Sequence, residues 1–391
     1  MKYLLLRLKR FCGFITGFVF FMGGIFKLMD PVGASLVMGE YLDFMHLKFL
    51  GFAAKPLAAA FALAETIIGT ALITGVWKKA TGIAALAFQG FFTLLTLALV
   101  IFKPQMDCGC FGEAIHLTHM ETFVKNIILC VLLCAYFFPS KMLGTPPNRK
   151  YVSFGAVTIS VIAFMVYSWM YRPMIDFTDY KPGATLKTAL DSTYEEVDMY
   201  EAVFVYEKDG TEEVFGLENL PDSTWTFVRT ETLAEIDEDA PGLIDLSFYE
   251  SDGEYMDELA AKGKVIVVSV YDPEMTEHRW KETMGFVRNA EDVGFTAILL
   301  VSEMPSESLD IPMYISDHKT LKAMNRSNGG ATYFSDGHLI RKWSHRSLPD
   351  LNGLTEAYTA DETETFIYHD TKGSLGFQGF LLYVFAVMLL L

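Results

Sequence analysis

The sequence predicts a membrane-embedded bundle of α-helices joined to an extracytoplasmic α/β domain. Of the 391 residues, 51% are hydrophobic, yet the net charge is −17, so one protein class does not describe the whole chain. Residues 1–170 contain 14 Lys+Arg and 7 Asp+Glu, whereas residues 171–391 contain 17 Lys+Arg and 41 Asp+Glu. The acidity of the second half argues against nucleic acid or an anionic lipid surface as its partner.

Five apolar stretches in the first half approach the roughly 20 residues that a helix needs to cross a lipid bilayer. They cover residues 11–29, 52–77, 80–102, 123–138 and 151–170. The fourth is short, but Thr118 and Glu121 have capping-box spacing, so its helix should begin near His119. The sequence therefore predicts a four-helix bundle within residues 1–140 and a fifth, linking span at residues 151–170.

Basic residues in the short loops predict the orientation of the bundle. If the N-terminus is cytoplasmic, the cytoplasmic side holds Lys2, Arg7, Lys9, Arg10, Lys78, Lys79, Lys141, Arg149 and Lys150. Five spans then place residues 171–375 on the periplasmic side of a bacterial inner membrane. Residues 376–391 are apolar again and reach about 24 Å as a helix, a marginal length for which we favour a sixth span over an interfacial helix.

Two charged residues in the predicted spans are candidates for a functional contact, Lys27 and Glu65. A carboxylate in the middle of a membrane is costly and usually faces the interior of a bundle. Two interpretations are open. Lys27 and Glu65 contact a proton or a quinone, or Glu65 is a buried structural partner for Lys27 or for a neighbouring helix.

The most informative segment is Asp107-Cys-Gly-Cys-Phe-Gly112, in the outward-facing loop between the third and fourth spans. Cysteines two residues apart can form a disulfide only in a tight turn, and Gly109 permits one between Cys108 and Cys110. In an oxidising compartment both the dithiol and the disulfide are accessible. Cys108 and Cys110 are therefore the candidate reactive residues.

Three interpretations of this pair compete: thiol–disulfide exchange, a structural bridge or paired thiols, and a metal site. The N-terminus of the helix that follows favours a thiolate, whereas Asp107 opposes it. A metal site would need His116 and His119 at an uncommon spacing, so we predict no metal. Cys130 and Cys134, four residues apart within a span, are expected to be packing thiols.

The first half resembles the DoxX-like superfamily, and specifically the methylamine-utilisation MauE family, over about residues 8–140. The resemblance rests on Phe21-Met-Gly-Gly-Ile-Phe-Lys27, Asp30-Pro31, Glu65 and the Asp107–Gly112 run. It implies a four-helix membrane bundle that handles disulfides or electrons for an extracytoplasmic partner. It also implies a quinone as cofactor, as in vitamin K epoxide reductase-like bundles, but not methylamine metabolism.

The acidic half is predicted to divide into a β-rich extension at residues 171–259 and an α/β domain at residues 260–360. In the extension, the Asp209-Gly210 turn predicts a hairpin, and a further strand follows at residues 224–229. In the domain, the hydrophobic pattern predicts strands at 265–271 and 296–301, helices at 276–293, 318–324 and 349–358, and a hairpin over 331–343. This order is that of a thioredoxin fold.

The α/β domain resembles thioredoxin-like domains, with two departures. Asp272–Glu277 stands where thioredoxins carry Cys-x-x-Cys, and Gly329 or Gly330 replaces the cis-proline. Because the domain has no sulfur to exchange, we predict that it binds a partner. The whole arrangement resembles a Bacteroidetes family that fuses a DoxX-like bundle to this kind of domain.

Two functions follow from these observations. The leading hypothesis is an inner-membrane thiol–disulfide or electron-transfer accessory that acts through Cys108 and Cys110. The globular domain would hold a periplasmic client above these thiols, and Lys27 and Glu65 would contact the quinone. The alternative is a non-enzymatic assembly factor whose bundle is an anchor, whose cysteines are structural and whose acidic domain recruits a periplasmic partner.

Overall fold

The chain folds into a helical membrane part and a mixed α/β domain, which confirms the predicted fold class. The computed structural model describes residues 2–104, 106, 108–115, 117–138, 145–189, 202–208, 211–215, 221, 224–232, 242–250, 252–305 and 311–390. The helices are α1 (Lys2–Met29), α2 (Pro31–Phe44), α3 (Ala54–Thr74), α4 (Lys78–Phe102), α5 (His119–Phe137), α6 (Asn148–Met170), α7 (Glu277–Val293), α8 (His318–Met324), α9 (Leu351–Thr359) and α10 (Glu362–Leu390).

Six helical segments in the described part of the chain are long and apolar enough to cross a membrane. They are Leu6–Met29, Lys48–Thr74, Lys78–Phe102, His119–Phe137, Asn148–Met170 and Lys372–Leu390. α1, α3, α4 and α5 form the central bundle, and α6 packs on α3 and α1. The fourth span does begin at His119, because Thr118 and Glu121 form the expected capping box.

The apolar C-terminal segment forms a helix that runs antiparallel to α6. Lys150 Nζ, near the start of α6, donates to the carbonyl oxygen of Met388 at 2.8 Å. Ser153 Oγ donates to that of Val387 at 2.7 Å. At mid-length the rings of Phe164 and Phe380 stack with centroids 4.6 Å apart. α10 therefore spans the same depth as α6 in the opposite direction, as a sixth span would.

Two elements near the cysteines were not predicted from the sequence. α2 follows the first span after a single residue, because the Asp30 side chain accepts from the backbone N–H of Gly33 and Pro31 occupies the first helical position. β1 (Cys110–Glu113) is a short strand that begins at the second cysteine. Both lie at the end of the bundle where α4 ends and α5 begins.

The α/β domain is built on an eight-stranded mixed sheet. The remaining strands are β2 (Thr185–Leu186), β3 (Ala202–Lys208), β4 (Thr211–Phe215), β5 (Thr226–Thr232), β6 (Leu243–Ile244), β7 (Phe248–Tyr249), β8 (Lys264–Val270), β9 (Thr296–Val301), β10 (Met313–Ser316), β11 (Gly330–Ser335) and β12 (His338–Trp343). The order in the sheet is β6-β2-β12-β11-β8-β9-β10-β7. β8, β9 and β10 are parallel, and β11 and β12 are antiparallel to their neighbours.

Helices cover both faces of this sheet. Trp280 and Phe286 of α7 and Leu354 of α9 pack against one face, and Leu321 and Met324 of α8 pack against the other. This three-layer arrangement is compatible with a thioredoxin-like domain. β10 was missed because its four residues are only partly apolar and half-buried.

The segment at residues 171–259, which follows α6, contributes to two sheets. Three short strands from residues 171–259 (β2, β6 and β7) join the edges of the eight-stranded sheet. β3, β4 and β5 form a separate three-stranded sheet, which contains the predicted hairpin and the strand after it. The Asp209-Gly210 turn itself lies outside the described residues.

Candidate functional site

The membrane bundle contains an apolar cavity directly beneath the loop that carries the two cysteines. Its volume is about 140 Å³, close to the roughly 150 Å³ of a cavity known to hold a benzene-sized ring. Most of the wall is apolar and includes the rings of Phe61, Phe88, Phe91 and Phe92. The polar side chains and sulfurs on the wall come from Lys27, Tyr41, Glu65, Gln89, Cys108, Cys110, Lys125 and Asn126.

Lys27 and Glu65 form an ion pair that faces this cavity. Lys27 Nζ lies 2.6 Å from Glu65 Oε2, and the side chains are only 16% and 14% exposed. Lys27 Nζ also lies 5.9 Å from the centre of the Phe92 ring. The two residues are thus structural partners for each other and also part of the cavity wall, and their contact with a proton or a quinone stays a prediction.

The glycines before Lys27 allow α1 to approach α3 closely enough to form this pair. A β-carbon at Gly24 would lie 2.1 Å from Thr66 Oγ1 and 2.6 Å from the carbonyl oxygen of Ala62. The Gly-Gly dipeptide in the first span therefore sets the distance between the helices that carry Lys27 and Glu65.

The turn between the cysteines is held by α2. Gly109 has φ +54°, and a β-carbon there would lie 2.3 Å from Val37 Cγ1. Tyr41 Oη donates to the carbonyl oxygen of Cys108 at 2.5 Å. Burial and the neighbouring Cys110 and Cys108 raise the pKa of Tyr41 far above its ordinary value, so its hydroxyl remains a donor.

Cys108 Sγ lies 2.8 Å from His119 Nδ1, at the first residue of α5. The other ring nitrogen, Nε2, lies 3.1 Å from the carbonyl oxygen of Pro104. The ring is therefore held in place by one contact at each nitrogen. The sequence identified His119 only as a helix start and as a candidate metal ligand. His116 and Asp107 lie outside the described residues.

The two cysteines differ in exposure. Cys108 is 3% exposed, whereas Cys110 is half-buried. Of the two in α5, Cys130 Sγ lies 3.4 Å from Thr93 Oγ1, and Cys134 is exposed on the outside of the bundle. Neither of these α5 cysteines is on the cavity wall among the described residues.

A buried ion triad joins the cysteine loop to the α/β domain. Arg326, which follows α8, places Nε 2.8 Å from Asp30 Oδ2 and Nη2 3.0 Å from Glu113 Oε1. Burial lowers the pKa of Arg326, but the charges of Asp30 and Glu113 outweigh it and leave that pKa raised. The cysteine loop and the globular domain therefore lie at the same end of the bundle.

The loop that follows β8 is closed by a side-chain amide. Asn328 Oδ1 accepts from the backbone N–H of Asp272 at 3.0 Å, and its Nδ2 donates to the carbonyl oxygen of Asp272 at 2.8 Å. Gly329 follows with φ +74°. No cysteine stands in this loop.

The donor set on the cavity wall suits an aromatic carbonyl compound better than a metal ion. Within the described residues no cluster of three His, Cys, Asp or Glu side chains has metal-ligand geometry. A ring with two carbonyl oxygens would find phenyl rings for its faces and the ammonium of Lys27 for an oxygen. The residues present therefore fit a quinone.

Comparison with known proteins agrees with the architecture of the first half. Residues 2–139 match the family described as Methylamine utilisation protein MauE. The matched residues include all four helices of the central bundle. Residues 200–234, which contain the three-stranded sheet, match a domain of unknown function, DUF8463. The resemblance to the wider DoxX-like superfamily stays a prediction.

One similar curated protein is Protein TlpB of Flavobacterium psychrophilum, which is 32% identical over 91 residues. The alignment covers 23% of this chain and 24% of that protein, so the chain matches about a quarter of the length of this relative. No solved structure matches the chain. These similarities describe a membrane protein with a MauE family domain, and they leave its reaction as a matter for proposal.

Proposed function

We propose that the protein catalyses thiol–disulfide exchange at Cys108 and Cys110 and passes electrons between a periplasmic client and a quinone in the membrane cavity. The observation that carries the proposal is that both cysteines and the Lys27–Glu65 pair line one apolar cavity. Cys110 is half-buried and within reach of a protein thiol, and both cysteines border the cavity that a lipid-soluble carrier would enter.

The residues on the wall support each part of the chemistry. When bound, a quinone supplies a two-electron acceptor that also takes up two protons. The phenyl rings would pack against its ring, Lys27 would donate a hydrogen bond to a carbonyl oxygen, and Glu65 would hold Lys27 in place. Gln89 and Asn126 add further polar groups, and Asn126 is positioned by Thr96 Oγ1 at 3.1 Å.

The topology supports an inner-membrane location with the active loop in the periplasm. Lys78, Lys79 and Lys150 stand at the bundle end opposite the cysteine loop, in the first turns of α4 and α6. By the positive-inside rule that end faces the cytoplasm. The cysteine loop and the acidic domain then share the oxidising compartment, where a disulfide between Cys108 and Cys110 is chemically accessible.

The redox state of the two thiols in native membranes tests the proposal. The assay uses a variant with Cys12, Cys130 and Cys134 changed to Ser, so that an alkylation mass shift reports Cys108 and Cys110 alone. We expect the pair to be oxidised by added quinone and reduced by added dithiol, and Cys108→Ser to abolish quinone reduction by dithiols. A pair that stays in one state under both additions, with quinone reduction unchanged in Cys108→Ser, would overturn the proposal.

A second candidate is favoured by the closed site of the α/β domain. Asn328 forms two hydrogen bonds with the backbone of Asp272, and Arg326 docks the domain on the bundle. This arrangement also suits a non-enzymatic assembly factor that presents an acidic domain to a periplasmic partner. In that case, partner capture by the domain would persist in a Cys108→Ser, Cys110→Ser variant, and quinone reduction in the assay above would be the same in that variant and in the parent protein.

A further inference from the structure

We propose that His119 carries the proton of Cys108, so that Cys108 is the sulfur that leaves as a thiolate and Cys110 is the sulfur that bonds to the client. This assignment rests on the proposed thiol–disulfide exchange and adds a residue and a division of roles to it. Its basis is the contact between His119 and Cys108 together with the difference in burial between the two cysteines.

The first step is the position of the proton on the His119 ring. Nε2 lies 3.1 Å from the carbonyl oxygen of Pro104, and a carbonyl oxygen can only accept a hydrogen bond. Nε2 therefore carries a hydrogen. In the neutral ring Nδ1 is then an acceptor, and it points at Cys108 Sγ from 2.8 Å.

The second step is the exchange of that proton between the two groups. A thiol at Cys108 donates to Nδ1, and after transfer the imidazolium donates back to the thiolate. The hydrogen bond persists in both states, so a change in the charge of the sulfur requires no movement of the ring. A histidine in this position stabilises a cysteine thiolate, as a nearby positive charge does generally.

The third step concerns the other groups that face the site. On α2, Tyr41 donates to the backbone oxygen of Cys108 rather than to its sulfur, and Glu40 lies near Tyr41. Cys110 is on β1, and on α5 Lys125 Nζ lies 4.7 Å from the centre of the Phe111 ring. Lys27 and Glu65 face the same cavity and are paired with each other. Of these groups, His119 contacts the sulfur directly, at hydrogen-bond distance.

The exchange reaction can now be written with its atoms in balance. A client thiolate attacks Cys110 Sγ of the Cys108–Cys110 disulfide. The S–S bond breaks, and its electron pair remains on Cys108, which takes its proton from His119. A second client thiolate attacks the client sulfur of the mixed disulfide, so a client disulfide forms and Cys110 leaves as a thiolate. The two client thiols each lose a proton as they ionise: one proton passes to His119 Nδ1 and from there to Cys108, and the other returns from solvent to the Cys110 thiolate. In total the client loses two electrons and two protons, and both cysteines become thiols.

The roles follow from access and from leaving-group chemistry. Cys108 is 3% exposed and lies too deep for a protein thiol, whereas Cys110 is half-buried. A sulfur whose thiolate is stabilised leaves faster in thiol–disulfide exchange. Burial therefore selects Cys110 for attack, and His119 makes Cys108 the better leaving group.

The first test is the pH dependence of alkylation in the reduced Cys12, Cys130, Cys134→Ser protein. Iodoacetamide reacts with thiolates, and mass spectrometry follows Cys108 and Cys110 separately. Restricted access lowers the rate at every pH equally, so the midpoint of each profile reports the thiolate and not the burial. We expect the Cys108 midpoint to lie below that of Cys110, and His119→Gln to raise it enough to lower the neutral-pH rate about tenfold.

Lys125→Gln is the matched control, because it removes a charge from the same helix and the same cavity wall. It should leave the Cys108 midpoint in place. Equal midpoints for Cys108 and Cys110 in the parent protein would overturn the proposal even if His119→Gln failed to fold. An unchanged Cys108 midpoint in a folded His119→Gln protein would also overturn it.

The second test locates the sulfur that bonds to a partner, with oxidised glutathione as the probe. We expect a glutathione adduct on Cys110 in Cys108→Ser and none on Cys108 in Cys110→Ser. An adduct on Cys108 would overturn the division of roles. If the pair still cycles between its redox states in the membrane assay while these tests fail, only the His119 proposal is lost; if it does not cycle, the proposed function fails independently.

Discussion

Arg326 Nε of the α/β domain lies 2.8 Å from Asp30 Oδ2, the carboxylate that also caps α2 by accepting from the N–H of Gly33. The Asp30 side chain thus caps α2, the helix that covers the cysteine loop, and also binds Arg326 of the domain above it. The same guanidinium reaches Glu113, three residues beyond Cys110. Docking of the globular domain and ordering of the cysteine loop are therefore coupled through a single buried cation.

Replacement of Arg326 by Met should release the domain and loosen α2. Removing one partner of a buried ion pair leaves an uncompensated charge, which costs about 3–5 kcal/mol. We expect faster hydrogen exchange at the α2 amides and at Cys110–Glu113. Lys319→Met is the control at the same interface, because its pair with Glu40 is exposed and should be worth no more than about 1 kcal/mol. Similar exchange rates in the two variants would contradict the coupling.

Gly109 should tolerate no side chain. Its φ of +54° is strained for other residues, and a β-carbon would lie 2.3 Å from Val37. We expect Gly109→Ala to lower the thermal stability of the protein and to break the hydrogen bond between Tyr41 and the Cys108 carbonyl. The measurement is the melting temperature together with the rate of Cys108 alkylation, which should rise as the loop opens.

Gly39 in α2 provides the control for this change. A β-carbon there meets no atom within 4 Å among the described residues, and Ala favours a helix by up to about 1 kcal/mol over Gly. Gly39→Ala should therefore be neutral or stabilising. Val37→Ala in the Gly109→Ala background should restore only part of the stability, because it relieves the contact and not the φ angle. Full restoration would show that backbone strain is unimportant at Gly109.

The Lys27–Glu65 pair allows packing and function to be separated. Lys27→Met alone leaves Glu65 buried without its partner, and we expect a loss of about 3–5 kcal/mol in stability. The double variant Lys27→Met, Glu65→Met should recover most of this loss, because apolar residues of similar size replace both charges. Quinone reduction should be absent from both variants. If the double variant reduced quinone at the parent rate, the Lys27–Glu65 pair would not be part of the cofactor site.

The sequence contained the parts of this site but not their arrangement. Lys27, Glu65, Cys108 and Cys110 could be selected one by one, since a charge within a span and a cysteine pair in an outer loop are local signals. Their common cavity could not be predicted, because it depends on how closely α1 and α3 approach at Gly24 and on how the loop folds down beneath α2.

His119 and Tyr41 were missed as contacts of the cysteine loop for a related reason. His119 lies eleven residues from Cys108, and its distance from the sulfur depends on the turn and on β1 between them. Tyr41 belongs to α2. This helix is too short to be a span, and its sequence gives no strong amphipathic pattern. The only local signal for α2 was Asp30-Pro31, which is a helix N-cap followed by proline at the first position.

The fold of the α/β domain was more accessible because its strands carry strong local patterns. The buried run at β8 and the turn between β11 and β12 fixed the central strands. The short strands β2, β6 and β7 have two residues each, too few for a periodic pattern. Their place at the sheet edges is decided by tertiary contacts such as the burial of Phe248.

The stability of the α/β domain should fall in mild acid because His345 is held neutral. Its side chain is 15% exposed and contacts Glu282 at 3.3 Å. Burial and the positive charge of Arg279, with a contribution from Arg346, nevertheless lower the pKa of His345 below its ordinary value. Between that lowered pKa and about 6.5, the unfolded chain binds more protons than the folded one.

The contribution of neutral His345 to the free energy of unfolding is therefore complete above about pH 6.5. It is lost as the pH falls toward the pKa of His345 in the folded state. We expect the melting temperature to decrease over this interval and His345→Gln to flatten the decrease. His318, whose pKa burial also lowers, retains part of the slope in that variant. His278→Gln is the comparison variant, because its side chain is 81% exposed and contacts the other oxygen of the Glu282 carboxylate; it tests whether loss of a Glu282 contact alone changes the slope. If His345→Gln and His278→Gln melt in parallel with the parent protein at every pH, the folded domain accommodates protonated His345 without loss, and Glu282 outweighs Arg279 at this site.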